Sequence, residues 1–346
     1  MQTDAKYFRL FSSCQLVKGA TAGLLIDLDR YSLFEIPLAY LDFITEAQND
    51  PIETVKQKHG EGFLSFMQQF IDAELAFLTS EPQAFPPIDL DWKSPYRISN
   101  AVLQIANLEN YNISDAIQQL LALDCQAFQL RFEQKVSMTE LNSVLKNFEQ
   151  SRAKMVELFI PNKAAASCID DMRKLLKSEH RVGMICLYAA NEDRLIRDEN
   201  LFYDRRIVIS QKDIREYANN EQISLERMIK NLLVFCEAQK HNIGLNRKVS
   251  IDGAGEIKNF LSHNKSYGNV NDTALKDVVL SKEFKEKWFI SNDQIAKCKD
   301  CQYRYSCVNN SDIEKIDDLY RRTTDCGFDP YSNTWNSTNA IKENVR

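Results

Sequence analysis

Ten residues near the end of the chain, CKDCQYRYSC, set Cys298, Cys301 and Cys307 in a C-x2-C-x5-C array, and Cys326 follows after eighteen more residues. A C-x2-C step lets two thiolates on one turn reach a single ion, and the later cysteines can complete a four-sulfur shell. Four sulfurs suit zinc or an iron–sulfur cluster, not a hard cation. The alternative is four packed or surface thiols. It fits poorly with the polar neighbours Lys297, Lys299, Asp300, Gln302 and Arg304, because exposed free thiols oxidise. Spacing alone does not choose between zinc and iron–sulfur.

The remaining five of the nine cysteines are spread along the chain at 14, 125, 168, 186 and 236. Cys125, Cys168, Cys186 and Cys236 lie within apolar segments, where a free thiol packs as a small hydrophobe. Other chemistries have little support. The four histidines (59, 180, 241 and 263) form no H-x3-H pair, and no phosphate-binding G-x4-GK[ST] loop is present. The acidic pairs Asp170-Asp171 and Asp317-Asp318 read as solvated faces.

The elements that must position the cysteines follow from periodicity. In the chain of 346 residues, YFRLFSSCQLVKG, GLLIDLDR and YSLFEIP read as three short strands. LAYLDFITEA, PIETVKQKHG and EGFLSFMQQFIDAELAFL then carry apolar residues at helical spacing. Three strands and three helices make a winged-helix-like unit over residues 1–80. EPQAFPPIDLDWKSP, residues 81–95, is a Pro-rich linker. Residues 96–250 alternate short apolar strands with longer helices, including a long helix over ISLERMIKNLLVFCEAQKHN. That alternation predicts about six parallel βα units, an incomplete barrel, with an open doubly wound sheet as the competitor. Residues 251–346 form a loop-rich tail. The fold class is therefore α/β: a partial (β/α)6-type barrel between a winged-helix-like domain and a cysteine-rich tail.

Composition excludes some functions. Lys plus Arg is 43 and Asp plus Glu is 49, a net charge of -6, so no basic face for nucleic acid is expected. The longest apolar runs, GLLIDL and NLLVF, are too short to span a membrane. MQTDAKYFRLF lacks the layout of a signal peptide, and the chain is read as cytoplasmic.

The tail resembles a SPASM domain, the cysteine-rich extension of radical SAM peptide-modifying enzymes. The matching stretches are SIDGAGEIKNF (250–260), SYGNVNDTALKDVV (266–279), FKEKWFISNDQIAKCKDCQYRYSC (284–307) and CGFDPYSNTW (326–335), with Trp288 ahead of the cysteine block. The middle resembles the partial barrel of the same superfamily, and the first 80 residues resemble its leader-peptide recognition domain. The combination is most similar to the SPASM-domain maturases of grasp-with-spasm systems. In those systems an ATP-grasp ligase is the partner, and both proteins act on a ribosomally made precursor peptide.

The departures from the family pattern define what the resemblance implies. A C-x3-C-x2-C triad is expected after the first barrel strand, where this chain has ANLENYNISDAI; Arg131-Phe132-Glu133 stands where Gly-Gly-Glu is expected. Reductive cleavage of S-adenosylmethionine is therefore not expected. Ligands of one auxiliary cluster are replaced by Phe260 and Ser311, while Cys298, Cys301, Cys307 and Cys326 remain for the other. The resemblance implies one [4Fe–4S] cluster there, with zinc as the alternative. Four thiolates leave no open coordination site, so the metal is expected to staple the tail rather than to catalyse.

The first unit has a physical route to peptide binding. A small sheet with an open edge accepts a peptide as an added strand. Leu33, Phe34 and Glu35, with the aromatic face of Phe66 and Phe70, would form the groove, although Phe66 and Phe70 at that spacing also suit a core. The expected function is maturation of a ribosomally synthesised, post-translationally modified peptide: binding of the precursor leader, in company with an ATP-grasp ligase, without radical chemistry. The alternative is a peptide-modifying enzyme that uses the barrel mouth, where Glu133 or Asp204 would matter.

Overall fold

The structure is a computed structural model that describes residues 6–162, 169–197, 205–214 and 223–336. It opens with β1 (Tyr7–Leu10), β2 (Cys14–Lys18), β3 (Ala22–Asp27) and β4 (Ser32–Pro37), then α1 (Leu38–Ala47), α2 (Ile52–His59) and α3 (Gly62–Asp72), and β5 (Ala76–Thr79). The first apolar run is thus two strands, broken at Phe11–Ser13, where the Cys14 amide donates back to the Phe11 carbonyl at 2.8 Å. The third helix is shorter than its periodicity predicts. Glu74 adopts φ 55° and the Leu75 amide donates to the Phe70 carbonyl at 2.8 Å, which turns the chain out of the helix. The residues beyond then pair with β1 as an antiparallel ribbon. Strands β2, β3 and β4 form a separate antiparallel sheet with β3 at its centre.

One face of that sheet carries Cys14, Leu25 and Ile36 against α1–α3, in a core with Ile44, Met67 and Phe70. The other face carries Val17, Leu24, Ile26 and Leu33, and it faces the cysteine tail. The two-residue alternation of strand side chains produces this division.

The second part contains β6 (Asn100–Ile105), α4 (Ile113–Ala122), β7 (Ala127–Phe132), α5 (Met138–Leu145), β8 (Met155–Pro161), α6 (Ile169–Ser178), β9 (Val182–Tyr188), β10 (Arg194–Arg197), β11 (Arg206–Ile209), α7 (Leu232–Ala238), β12 (Lys248–Ile251) and β13 (Ile257–Lys258). Its strands make one eight-stranded sheet in the order β10-β11-β9-β8-β7-β6-β12-β13. The inner six strands are parallel, and β10 and β13 add antiparallel edges. The six parallel strands match the number the alternation predicts. Helices α4, α5 and α6 bury Ile117, Leu141 and Leu175 in a single core with Leu103, Leu130, Leu158 and Ile185 of the sheet.

Two predicted helices are cut short. Helix α5 begins at a capping box, Ser137 with Glu140, but passes into a 3-10 turn at Lys146–Phe148 and stops where Gln150 takes φ 56°. The long helix over 223–242 is a 3-10 turn at Leu225–Arg227 followed by the two turns of α7. Asn231 accepts from the Val234 amide as the N-cap of α7, so no helix runs through it.

The tail adds α8 (Leu275–Leu280), α9 (Lys282–Lys285), β14 (Ile313–Ile316), β15 (Leu319–Arg322), β16 (Phe328–Asp329) and β17 (Thr334–Trp335). Leu275, Phe284 and Trp288 lie in the core of the main sheet. Among the described residues no helix is long and apolar enough to cross a membrane.

Candidate metal centre

The four tail cysteines meet. Cys298, Cys301, Cys307 and Cys326 line one cavity of about 30 Å³, together with Asn292, Lys297 and Phe328. Local folding places each of them. Lys297 takes φ 67°, which starts a 3-10 turn at Cys298–Asp300, and the Cys301 amide donates to the Cys298 carbonyl at 3.0 Å. The turn brings the first two thiols to one side. The Tyr303 amide donates to Cys301 Sγ at 3.4 Å, a contact that favours a thiolate. Cys326 enters next to the β16–β17 hairpin, where Phe328 and Trp335 pack on Tyr303 with ring centroids 5.1 and 6.2 Å away.

The electrostatics record the same convergence. Burial pushes the Cys301 thiol up to about 12, and the neighbouring Cys298 and Cys326 push in the same direction. Burial likewise holds Cys307 well above the ordinary thiol range, with Cys298, Cys301 and Cys326 adding to it and Arg322 opposing. Cys326 is raised by burial and drawn down by Lys297. Thiols grouped in this way suit a bound cation, because metal ligation needs thiolates and releases their protons. Lys297, Arg304 and Arg322 bring positive charge to the group, which suits the net negative charge of a four-thiolate metal site. The donor set therefore fits zinc or an iron–sulfur cluster. Among the described residues no group of three or more His, Cys, Asp or Glu side chains is arranged so that it could hold a metal ion.

The other cysteines take different places. Cys14, Cys125, Cys186 and Cys236 are buried singly, and Cys168 lies outside the described residues.

The five residues assigned to a peptide groove do not share one face. Phe34 is 39% exposed and turns toward the helices, whereas Leu33 and Glu35 turn toward the cysteine tail. Phe70 is 7% exposed in the core of the first unit, and Phe66 packs on that core while stacking on Tyr40 at 4.2 Å. Among the described residues no strand pairs with the outer edge of β4.

The segment ANLENYNISDAI is a self-bonded loop entering α4. Asn107 accepts from the Glu109 and Asn110 amides, and Asn112 caps the helix. Arg131 is buried, its Nε donates to Gln129 Oε1 at 2.6 Å, and its guanidinium lies 5.6 Å from the Phe159 ring. Phe132 is in the main core, and Glu133 accepts from Gln104. Asp204 lies outside the described residues.

One polar array was not identified from the sequence. Gln129 Nε2 donates to Glu157 Oε2 at 2.8 Å, so Arg131, Gln129 and Glu157 form a chain on the face of the main sheet away from the helices. The alternation within AFQLRF, polar at Gln129 and Arg131 only, was the signal that could have revealed it.

No family model and no curated protein matches this chain. Three solved structures of Streptococcus suis SuiB are similar over most of its length. One is bound to precursor peptide SuiA, with TM-score 0.36 and 12% identity over 88% of this chain and 94% of that chain. A second, bound to S-adenosylmethionine, gives TM-score 0.36 and 10% identity over 87% and 94%. A third gives TM-score 0.38 and 11% identity over 86% and 94%. A likeness this distant carries no argument about activity.

Proposed function

We propose that this chain is a maturation protein for a ribosomally synthesised, post-translationally modified peptide, one that binds the precursor's leader and acts beside an ATP-grasp ligase without radical SAM chemistry. The observation that carries this reading is the meeting of four cysteines, drawn from a motif of the SPASM type, directly beneath a small sheet with a free edge. The parallel strands with α4, α5 and α6 on one face support a partial barrel rather than a doubly wound sheet, which carries helices on both. The winged-helix-like unit supplies the edge, and the tail supplies a metal-stapled surface.

Cys298, Cys301, Cys307 and Cys326 would hold the metal. Four thiolates suit zinc or a cluster alike, and the likeness of Trp288, CKDCQYRYSC and Cys326 to the SPASM pattern favours [4Fe–4S]. When bound, such a cluster cross-links the loops and can carry one electron. The chain's own part is to bring four thiols together, screen them with three cations, and cover the sheet.

At the β4 edge an extended peptide would gain main-chain hydrogen bonds, with Phe34 offering an exposed aromatic contact. The test is fluorescence anisotropy with any short precursor-type peptide found encoded beside this chain's gene. Binding that Phe34→Asp weakens about tenfold or more supports the proposal, and absence of binding to the intact chain refutes it. Copurification with an ATP-grasp ligase, where one is encoded beside this gene, tests the partner.

The half-buried chain Glu157–Gln129–Arg131 favours a second reading, an enzyme acting on the peptide at the polar face of the sheet. A change in the precursor's mass caused by this chain alone would establish that reading over the first.

A further inference from the structure

The face of the β2–β3–β4 sheet turned away from the helices is covered by the cysteine loops. Val17, Leu24 and Ile26 share an apolar cluster with Tyr303 and Phe328, and Cys301, Cys307 and Cys326 pack against it. Polar contacts fasten both ends of this face. At the β2–β3 turn the Ala20 amide donates to the Asp300 carbonyl at 2.8 Å, Arg304 Nη1 donates to the Lys18 carbonyl at 2.7 Å, and Thr21 Oγ1 donates to the Pro330 carbonyl at 2.8 Å. At β4, Asn333 Nδ2 donates to Glu35 Oε1 at 2.7 Å. The approach is close: a Cβ on Gly19 would lie 2.9 Å from the Gln302 backbone nitrogen.

The covering loops have little regular structure of their own. One 3-10 turn and a hairpin of two-residue strands are all that residues 298–307 and 326–335 possess. Loops of this kind take their order from a cross-link, and a metal held by four cysteines is such a cross-link. The same loops seat the sheet whose outer strand β4 pairs with no further strand among the described residues.

We infer that the metal state of the four-cysteine centre sets the order of the β4 edge, so that loading the centre and binding an extended peptide at that edge reinforce each other. This rests on the peptide reading above and adds its regulation: loss of the metal, by oxidation or iron shortage, loosens the edge and releases the peptide. Coupling of this type is reciprocal and commonly amounts to ~5–150-fold.

Hydrogen exchange by mass spectrometry tests it without any peptide. The full chain is loaded anaerobically with iron and sulfide, and half is then stripped with chelator. Amides of β2–β4 should exchange at least about fivefold faster in the stripped protein, with β7 and β8 unchanged. Equal exchange in β2–β4 overturns the inference, and so does uniform acceleration through the main sheet, which would mean global unfolding. The reverse direction is read as iron release to chelator, followed by absorbance. Gly19→Ala, and the milder Thr21→Val should the first fold poorly, ought to release iron several-fold faster than the parent chain. Release at the parent rate from both overturns the coupling. Because neither measurement contains peptide, such a failure leaves the peptide reading to its own anisotropy test.

Discussion

The Ala20 amide donates to the Asp300 carbonyl at 2.8 Å, joining a turn near the start of the chain to the loop between Cys298 and Cys301. Arg304 reinforces this junction. Its Nη1 donates to the Lys18 and Cys301 carbonyls at 2.7 and 3.0 Å, and its Nε pairs with Asp293 at 2.8 Å. Hydrogen bonds to a charged group contribute roughly 1.5–3 kcal/mol, so Arg304→Ala should lose about that much stability in urea titration. Arg304→Lys should not restore it, because a single ammonium cannot serve three partners arranged for a planar fork.

Gly244 marks a second close approach. A Cβ there would lie 2.1 Å from the Asn309 carbonyl oxygen and 2.7 Å from its carbon, two residues after Cys307. Backbone cannot yield as a flexible side chain does. Gly244→Ala is therefore expected to cost about 1–3 kcal/mol and to lower metal content together with the melting temperature. Full metal content at unchanged melting temperature would contradict this.

Trp288 connects the tail to the main sheet. It is 4% exposed in the same core as Leu130 and Leu158, with Phe284 edge-on at 6.0 Å. Trp288→Ala should cost about 3–5 kcal/mol, seen as a large fall in the denaturant midpoint. A loss confined to the tail, with the main transition unmoved, would show that Trp288 is not part of the shared core.

Acid should weaken the tail through His263. The ring is buried, its Nε2 donates to the Asn310 carbonyl at 2.9 Å, and Nδ1 lies 3.5 Å from Asp312. Burial pushes its pKa down from 6.5 to about 4, with Lys287 and Arg322 acting in the same direction and Asp312 and the Asn310 carbonyl opposing. Between those values the unfolded chain takes up a proton that the folded chain refuses. Stability therefore falls as pH drops from about 6.5 toward about 4, and His263 contributes no slope above that window. Urea midpoints between pH 7 and pH 5 should show the decline, and His263→Gln should flatten it. An equal slope in the variant would contradict the assignment.

Much of this architecture was legible in local pattern. The short apolar runs from Asn100 to Ile251 marked the parallel strands, and C-x2-C-x5-C marked cysteines that the fold does bring together. Helix ends were less legible, because they depend on single backbone events. Glu74 at positive φ ends α3, and the Asn231 cap divides a segment whose composition suits one long helix. Leu33 and Phe34 are adjacent on β4, and neighbours on a strand point to opposite faces, so one groove does not hold both. The seat of the N-terminal sheet on the cysteine loops left no local trace, since contacts such as Thr21 with Pro330 join residues 309 positions apart.

The most direct measurement is iron, zinc and acid-labile sulfide per chain after anaerobic purification, for the parent and for Cys307→Ser. About four iron and four sulfide in the parent, lost in the variant, is the result predicted for a [4Fe–4S] centre held by Cys298, Cys301, Cys307 and Cys326. One zinc without sulfide would contradict the cluster, and a well-folded parent chain with no metal would contradict the centre itself.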